Sequence, residues 1–289
     1  MKKKWLLAIP FAVVAVAITS YQTVFTLPSE SQLSSISGDK VELSLQCYRN
    51  QQAKILDVNG RIDLLVWNIY KQNRDNWQTV LTQLSQNKQL VLLQEASMTS
   101  SLQSWIKQQQ WFGSQVDAFK AFDTTAGVLN LTVDTPNLAC AFTELEPWLR
   151  LPKSALYATY PLSSGESLAV VNIHAVNFTY GTQEYQRQLA TLVKELTEHN
   201  GPIIVAGDFN SWSDARLRVM RSALNRVGLQ EASYQPDNRT QFITGLPLDH
   251  IFYRGLTLET AKAPISDASD HNPIVASFTL KDKDVERPN

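Results

Sequence analysis

Six apolar runs in this chain each meet a polar side chain at or near one end, and no other feature limits the possible folds as strongly. The run over residues 62–69 is interrupted near its end by Asn68, and the run over 90–93 leads into Glu95. "ESLAVVNIHAVNF" carries His174, and "PIIVAGDFNSW" carries Asp208 and Asn210. "PLDHIFY" opens on Asp249, and "ISDASDHNPIVASF" sets Asp270 and His271 ahead of a final apolar run. Apolar runs this short read as buried strands. Between them lie helical stripes: Trp77, Val80, Leu81 and Leu84, then Tyr185, Leu189, Leu192, Val193 and Leu196, then Leu217, Met220, Leu224 and Val227. A short helix is expected over 101–110. Strands alternating with helices define an α/β chain, and 289 residues suffice for one large α/β domain or two small ones.

The flanks are of a different character. Lys2, Lys3 and Lys4 precede an uncharged stretch over residues 5–27, long enough to cross a bilayer as an apolar helix. The lysines favour a cytoplasmic N-terminus. An uncleaved inner-membrane anchor is preferred to a cleaved signal, although Ala15-Val16-Ala17 resembles a cleavage site. Either places the rest of the chain outside the cytoplasm; the alternative is an apolar helix on a cytoplasmic protein. Residues 28–60 read as a polar linker, 61–280 as the domain and 281–289 as a charged tail. Residues 111–160 read as short strands and loops. Cys47 and Cys140, the two cysteines, could pair if the chain is exported.

Each polar strand end has an ordinary explanation taken singly. Asn68 can satisfy a backbone group, a lone buried His174 is usually structural, "GDFN" can be a turn, and Asp249 an edge charge. Six together at strand–loop junctions, where a rigid scaffold presents functional groups, are harder to explain that way. Four carboxylates, two imidazoles and two amides supply oxygen ligands for a hard divalent cation, a base for water and donors to a phosphate. Together they describe metal-assisted phosphoester hydrolysis. The chain contains no G-x-S-x-G, H-E-x-x-H or G-x-x-x-x-G-K-[ST].

In order along residues 61–280, "VWNIY", "LLQEA", "NIHAVN", "AGDFNSW", "LDHIFY" and "SDHNPI" resemble the endonuclease/exonuclease/phosphatase family, and within it the bacterial YafD-type group. The resemblance implies a DNase I-like four-layer α/β/β/α sandwich. It implies Mg²⁺ or Mn²⁺ held by Glu95 with Asp270 near it and Asn68 close by. Asp208 would orient or deprotonate water, with Asn210 beside it on the phosphate. His174 and His271 would contact the phosphate, and Asp249 would orient a histidine. His250 falls on the opposite face of its strand and reads as structural, and His199 as a solvated or capping residue.

The substrate stays open among nucleic acid, phospholipid and inositol phosphate, and no protein partner is indicated. A net charge of −1 disfavours tight duplex binding. Arg150 and Lys153 read as a solvated positive face ahead of phosphate contacts. Trp111, Phe112, Trp148 and Trp212 read as core ahead of a substrate groove. The alternative to a hydrolase is a non-catalytic binding protein that keeps the fold.

Overall fold

The computed structural model describes Val16 and residues 19–281. Strands β5 (Arg61–Asn68) and β6 (Leu90–Ser97) pair in parallel, joined through helix α1 (Trp77–Ser85). Strands β12 (Ser167–His174) and β13 (Ile203–Asp208) repeat the arrangement through α3 (Gln183–Thr197). The two parallel pairs sit in different sheets. The first sheet also contains β2 (Gln32–Ser37), β3 (Lys40–Leu45), β7 (Phe112–Asp117), β9 (Thr124–Thr132), β16 (Leu256–Lys262) and β17 (Ile274–Leu280). The short strands β1 (Phe25–Thr26) and β8 (Phe119–Ala121) pair with each other at its margin. The second contains β4 (Cys47–Arg49), β10 (Leu138–Leu145), β11 (Pro152–Pro161), β14 (Gln230–Glu231) and β15 (Asp249–Arg254).

Alternate side chains of each central strand enter different cores, which explains why the runs are apolar almost throughout. Leu64, Val66 and Leu92 meet Leu156, Val170 and Ile204 between the sheets. Leu65, Trp67, Val91 and Leu93 face outward against Trp77 and Leu81 of α1 and Leu102 and Trp105 of α2 (Ser100–Gln108). Val171, Ile173 and Val205 face Tyr185, Leu189, Met220 and Leu224 of α3 and α4 (Asp214–Asn225). This is the α/β/β/α sandwich that the family resemblance implies.

Two expectations change. Residues 28–60 are not a linker throughout: β2 and β3 form a hairpin that extends the first sheet through β7. In "QLSSIS", Leu33 and Ile36 are buried, and Ser34 Oγ donates to Asp117 Oδ2 at 2.9 Å. Serines beside those two positions weaken the apolar signal without preventing pairing. Cys47 of β4 is disulfide-bonded to Cys140 of β10, its register partner. Likewise, residues 111–160 hold β9, β10 and β11, each of eight to ten residues.

The expected N-terminal apolar helix lies mostly outside the described residues. Residues 19–24 are helical, and the chain then enters β1, so the end of the 5–27 stretch belongs to the domain. Among the described residues no helix is long and apolar enough to cross a membrane. The tail beyond Lys281 lies outside the described residues.

Candidate active site

The parallel pairs end at one cleft of about 400 Å³. Parallel strands run in one direction, so the C-terminal ends of β5 and β6 deliver Asn68 and Glu95, and those of β12 and β13 deliver His174 and Asp208. Strand β15 runs antiparallel to β13, so its first residue arrives at the same level: His174 is the register partner of Asp208, and Asp208 of Asp249. Strand β17 is antiparallel to β5, which brings Asp270 and His271, just before it, to the same end. Asn68, Glu95, His174, Asp208, Asn210, Asp270 and His271 all line the cleft. Asp249 stands behind His271, accepting from its Nδ1 at 2.7 Å.

Local backbone devices aim these groups. The pairing of β6 with β9 shifts register between Leu93 and Ala96, and Glu95 there adopts φ +52°. Such a bulge re-aims a side chain that a regular strand would place elsewhere. Gly207 has φ +139°, and a Cβ there would lie 2.1 Å from the Ile173 carbonyl oxygen. Only glycine lets β13 approach β12 so closely just before Asp208. Arg216, fully buried, donates to the Asn210 carbonyl at 2.7 Å and to that of Val176, and so clamps the loops after both strands.

Asp208 accepts from Asn68 Nδ2 at 3.0 Å and from the Asn210 backbone N–H at 2.9 Å. Its Oδ2 lies 3.5 Å from His174 Nε2 and 3.9 Å from His271 Nε2. Burial, with repulsion from Asp249 and against attraction to His271, pushes the Asp208 carboxyl up to about 6. Burial opposes charge on His271, but Asp249, Asp208 and Asp270 outweigh it and raise the imidazole to about 10. His271 is therefore an imidazolium whose Nδ1–H is committed to Asp249 and whose Nε2–H remains to donate. His174 is the opposite case: burial and the nearby Lys153 hold its pKa well below the usual range, so it is neutral.

Lys153 is the residue that sequence reasoning placed on a solvated face. Its Nζ lies 2.9 Å from His174 Nε2 and 3.9 Å from Glu95 Oε1, and its side chain is 19% exposed. An ammonium has only donors, so His174 Nε2 accepts. Lys71 Nζ sits on Glu95 Oε2. Burial works against charge on Glu95, but Lys153 and Lys71 hold its carboxyl below the usual range. A lysine in a turn or at a strand start carries no sequence mark of this placement. Trp212 lines the cleft and Trp148 lies exposed near it, whereas Trp111 packs in a core.

Behind the cleft a buried amide chain crosses between the sheets. Gln94 Nε2 donates to Asn172 Oδ1 at 2.7 Å, and Asn172 Nδ2 donates to Asn130 Oδ1 at 2.9 Å. His250 is buried against Glu231 and Ser211, a structural residue as expected. His199 is not simply solvated: its Nε2 meets the Ser167 carbonyl at 2.8 Å.

Asp208, Asp249 and His271 have side-chain atoms within 4.8 Å of one another. Within that group His271 Nδ1 is already engaged by Asp249 Oδ2, and Asp208 Oδ2 and Oδ1 accept from Asn68 Nδ2 and the Asn210 N–H. Glu95, Asp270 and Asn68 all line the cleft, and their side-chain oxygens are of the type that Mg²⁺ or Mn²⁺ takes.

The sequence pattern of the Endonuclease/Exonuclease/phosphatase family matches residues 65–271. A UPF0294 protein of Vibrio cholerae is 57% identical over 280 residues, covering 97% of this chain and 99% of its own length. An endonuclease/exonuclease/phosphatase from Bacteroides vulgatus superposes with TM-score 0.61 at 18% identity, over 76% of this chain and 99% of that one. ANGEL2, described as a 2',3'-cyclic phosphatase, superposes with TM-score 0.61 at 14% identity, over 79% and 99%.

Proposed function

The chain belongs to the endonuclease/exonuclease/phosphatase family, whose members are phosphoester-cleaving hydrolases, and on that premise we propose that it is itself a divalent-metal-dependent phosphoesterase. The observation that carries this reading is convergence. Eight residues spread over some two hundred positions of sequence meet at or beside one cleft, bringing four carboxylates, two imidazoles and two amides together.

Glu95 and Asp270, with Asn68 close by, would hold Mg²⁺ or Mn²⁺, which when bound neutralises charge on the phosphoryl oxygens. Asp208 accepts the proton of the attacking water as its oxygen bonds to phosphorus and the P–O bond to the leaving group breaks. A carboxyl raised to about 6 is ionised at neutral pH yet more basic than an ordinary aspartate. Asn68 Nδ2 and the Asn210 N–H fix its orientation. His271 donates through Nε2–H to the phosphoryl oxygen, held in place by Asp249. His174 was expected to contact the phosphate directly. Its neutral Nε2 accepts from Lys153, so Lys153 supplies the positive donor there and His174 positions it.

We also place the domain outside the cytoplasm, attached through the uncharged stretch that begins at Trp5. The Cys47–Cys140 bond supports this, since disulfides persist in oxidising compartments.

The test of the activity is hydrolysis of bis-p-nitrophenyl phosphate and of a panel of DNA, RNA, phospholipid and inositol phosphates, with Mg²⁺ or Mn²⁺ and with EDTA. EDTA-sensitive turnover lost in Asp208→Asn is the expected result. Ligand binding without turnover would favour a non-catalytic binding protein.

A further inference from the structure

The mouth of the cleft is more apolar than its floor. Leu149, Phe178 and Phe242 line it and are 48%, 47% and 45% exposed. Trp148, next to Leu149, is 54% exposed and packs its ring 4.8 Å from that of Tyr180, itself 78% exposed. Phe122, at the tip of the β8–β9 hairpin, is 71% exposed. Aromatic and aliphatic side chains clustered in solvent around one opening mark a contact surface.

The position of the N-terminal segment identifies what that surface meets. Tyr21 Oη donates to the carbonyls of Leu149 and Arg150 at 3.1 and 3.2 Å. Phe25 packs 6.0 Å from Phe119, which lines the cleft, and the Phe122 N–H donates to the Val24 carbonyl at 2.6 Å. Residues 21–25 therefore join the domain at the apolar rim, and the sequence before them, from Trp5 onward, is uncharged. A bilayer holding that segment lies beside Phe122, Trp148 and Leu149. The two rim loops, 119–123 and 147–151, carry Lys120 and Arg150 against one acid, Asp123, a balance that suits anionic headgroups. Tryptophan and tyrosine are the residues that settle at a membrane–water interface.

We propose that this rim docks on a phospholipid bilayer, so that the phosphoester delivered to the cleft is that of a lipid headgroup. The inference rests on the phosphoesterase reading for its substrate, and on the anchor reading of the N-terminal segment together with the rim geometry for its orientation.

The experiment keeps the two apart. With Cys47 and Cys140 bonded, a single added cysteine is the free thiol, so Asp123→Cys, Ile243→Cys and, at the far hairpin, Glu166→Cys are labelled with an environment-sensitive fluorophore. The full chain is reconstituted into phosphatidylethanolamine–phosphatidylglycerol vesicles with doxyl lipids as quencher. The expected result is that probes at 123 and 243 lose about half their emission while the probe at 166 loses almost none. Equal quenching at all three positions, or none at the rim, overturns the docking. Rim probes shielded from both doxyl lipid and aqueous iodide would mark a second copy as the occupant instead. For the substrate, Trp148→Asp/Tyr180→Asp should lower the ratio of the rate on vesicles to that on bis-p-nitrophenyl phosphate by roughly tenfold. An unchanged ratio with quenching intact overturns the lipid substrate but not the orientation. A loss confined to single-stranded DNA, on which exposed rings could stack, assigns the rim to nucleic acid. Absence of turnover on every substrate refutes the phosphoesterase reading and leaves the quenching result standing.

Discussion

Replacing Asp249 by Asn should move the pH–rate profile in a direction that the geometry fixes. Asn keeps an acceptor for His271 Nδ1–H but removes the charge. At the observed 2.7 Å and an effective dielectric constant of about 20, that charge attracts the imidazolium by about 6 kcal/mol. If water recovers half of this on mutation, about 3 kcal/mol remains, or about 2 pH units at 1.36 kcal/mol per unit. In the parent, kcat/KM should rise as Asp208 ionises near about 6 and fall as His271 loses its proton near about 10. In Asp249→Asn the alkaline limb should drop by about 2 units. The acid limb should also fall, because Asp208 loses a like-charged neighbour. Stability gives an independent reading. The folded His271 value lies above the ordinary 6.5, so its stabilisation is fully present below about 6.5 and is lost as pH rises through about 10. In urea unfolding of the variant that alkaline loss should be complete about 2 pH units earlier. The assay is kcat/KM on bis-p-nitrophenyl phosphate at constant metal across the pH range. An alkaline limb that stays put or moves upward would show that His271 is not the titrating donor.

Further outcomes are expected. Glu95→Gln should raise the metal concentration needed for half-maximal rate and recover in part with excess Mg²⁺. Asp208→Asn should lose roughly 10²-fold in kcat with little recovery; equal rescue of both by metal would undo the division of roles. Gly207→Ala should cost about 3 kcal/mol or more of unfolding free energy, because the Cβ meets the Ile173 oxygen at 2.1 Å and φ is +139°. Denaturant midpoints test it, and a near-neutral result would mean that β12 and β13 can separate freely. Cys47→Ser should cost about 4.6 kcal/mol by the loop-entropy relation, given the 93-residue separation of the bonded cysteines. A melting temperature insensitive to reductant would contradict that.

The sequence made the strand ends legible because each carries a polar group where an apolar run stops, and all eight candidate residues meet at or beside one cleft. It did not reveal Lys153 and Lys71, since a lysine on a strand start or turn looks solvated until the fold sets a carboxylate beside it. Gln94 and Asn172 were also missed. A buried amide inside an apolar run has no signature until its partner on the other sheet is known. β2 and β3 escaped notice because serine occupies positions beside Leu33 and Ile36 and most of β3 is exposed. The bulge at Glu95 has no glycine to announce it.

The eight residues divide evenly between the sheets: Asn68, Glu95, Asp270 and His271 come with the first, and His174, Asp208, Asn210 and Asp249 with the second. Neither half-sandwich contains both the cation carboxylates and the base. On the proposed mechanism, activity is therefore a gauge of how the two sheets lie on each other, and a slip of about an ångström would open the Asn68–Asp208 and Asp249–His271 bonds together. The amide chain through Gln94, Asn172 and Asn130 spans that same plane. It acts as a dowel, setting the alignment of the two halves from a position where no substrate atom reaches.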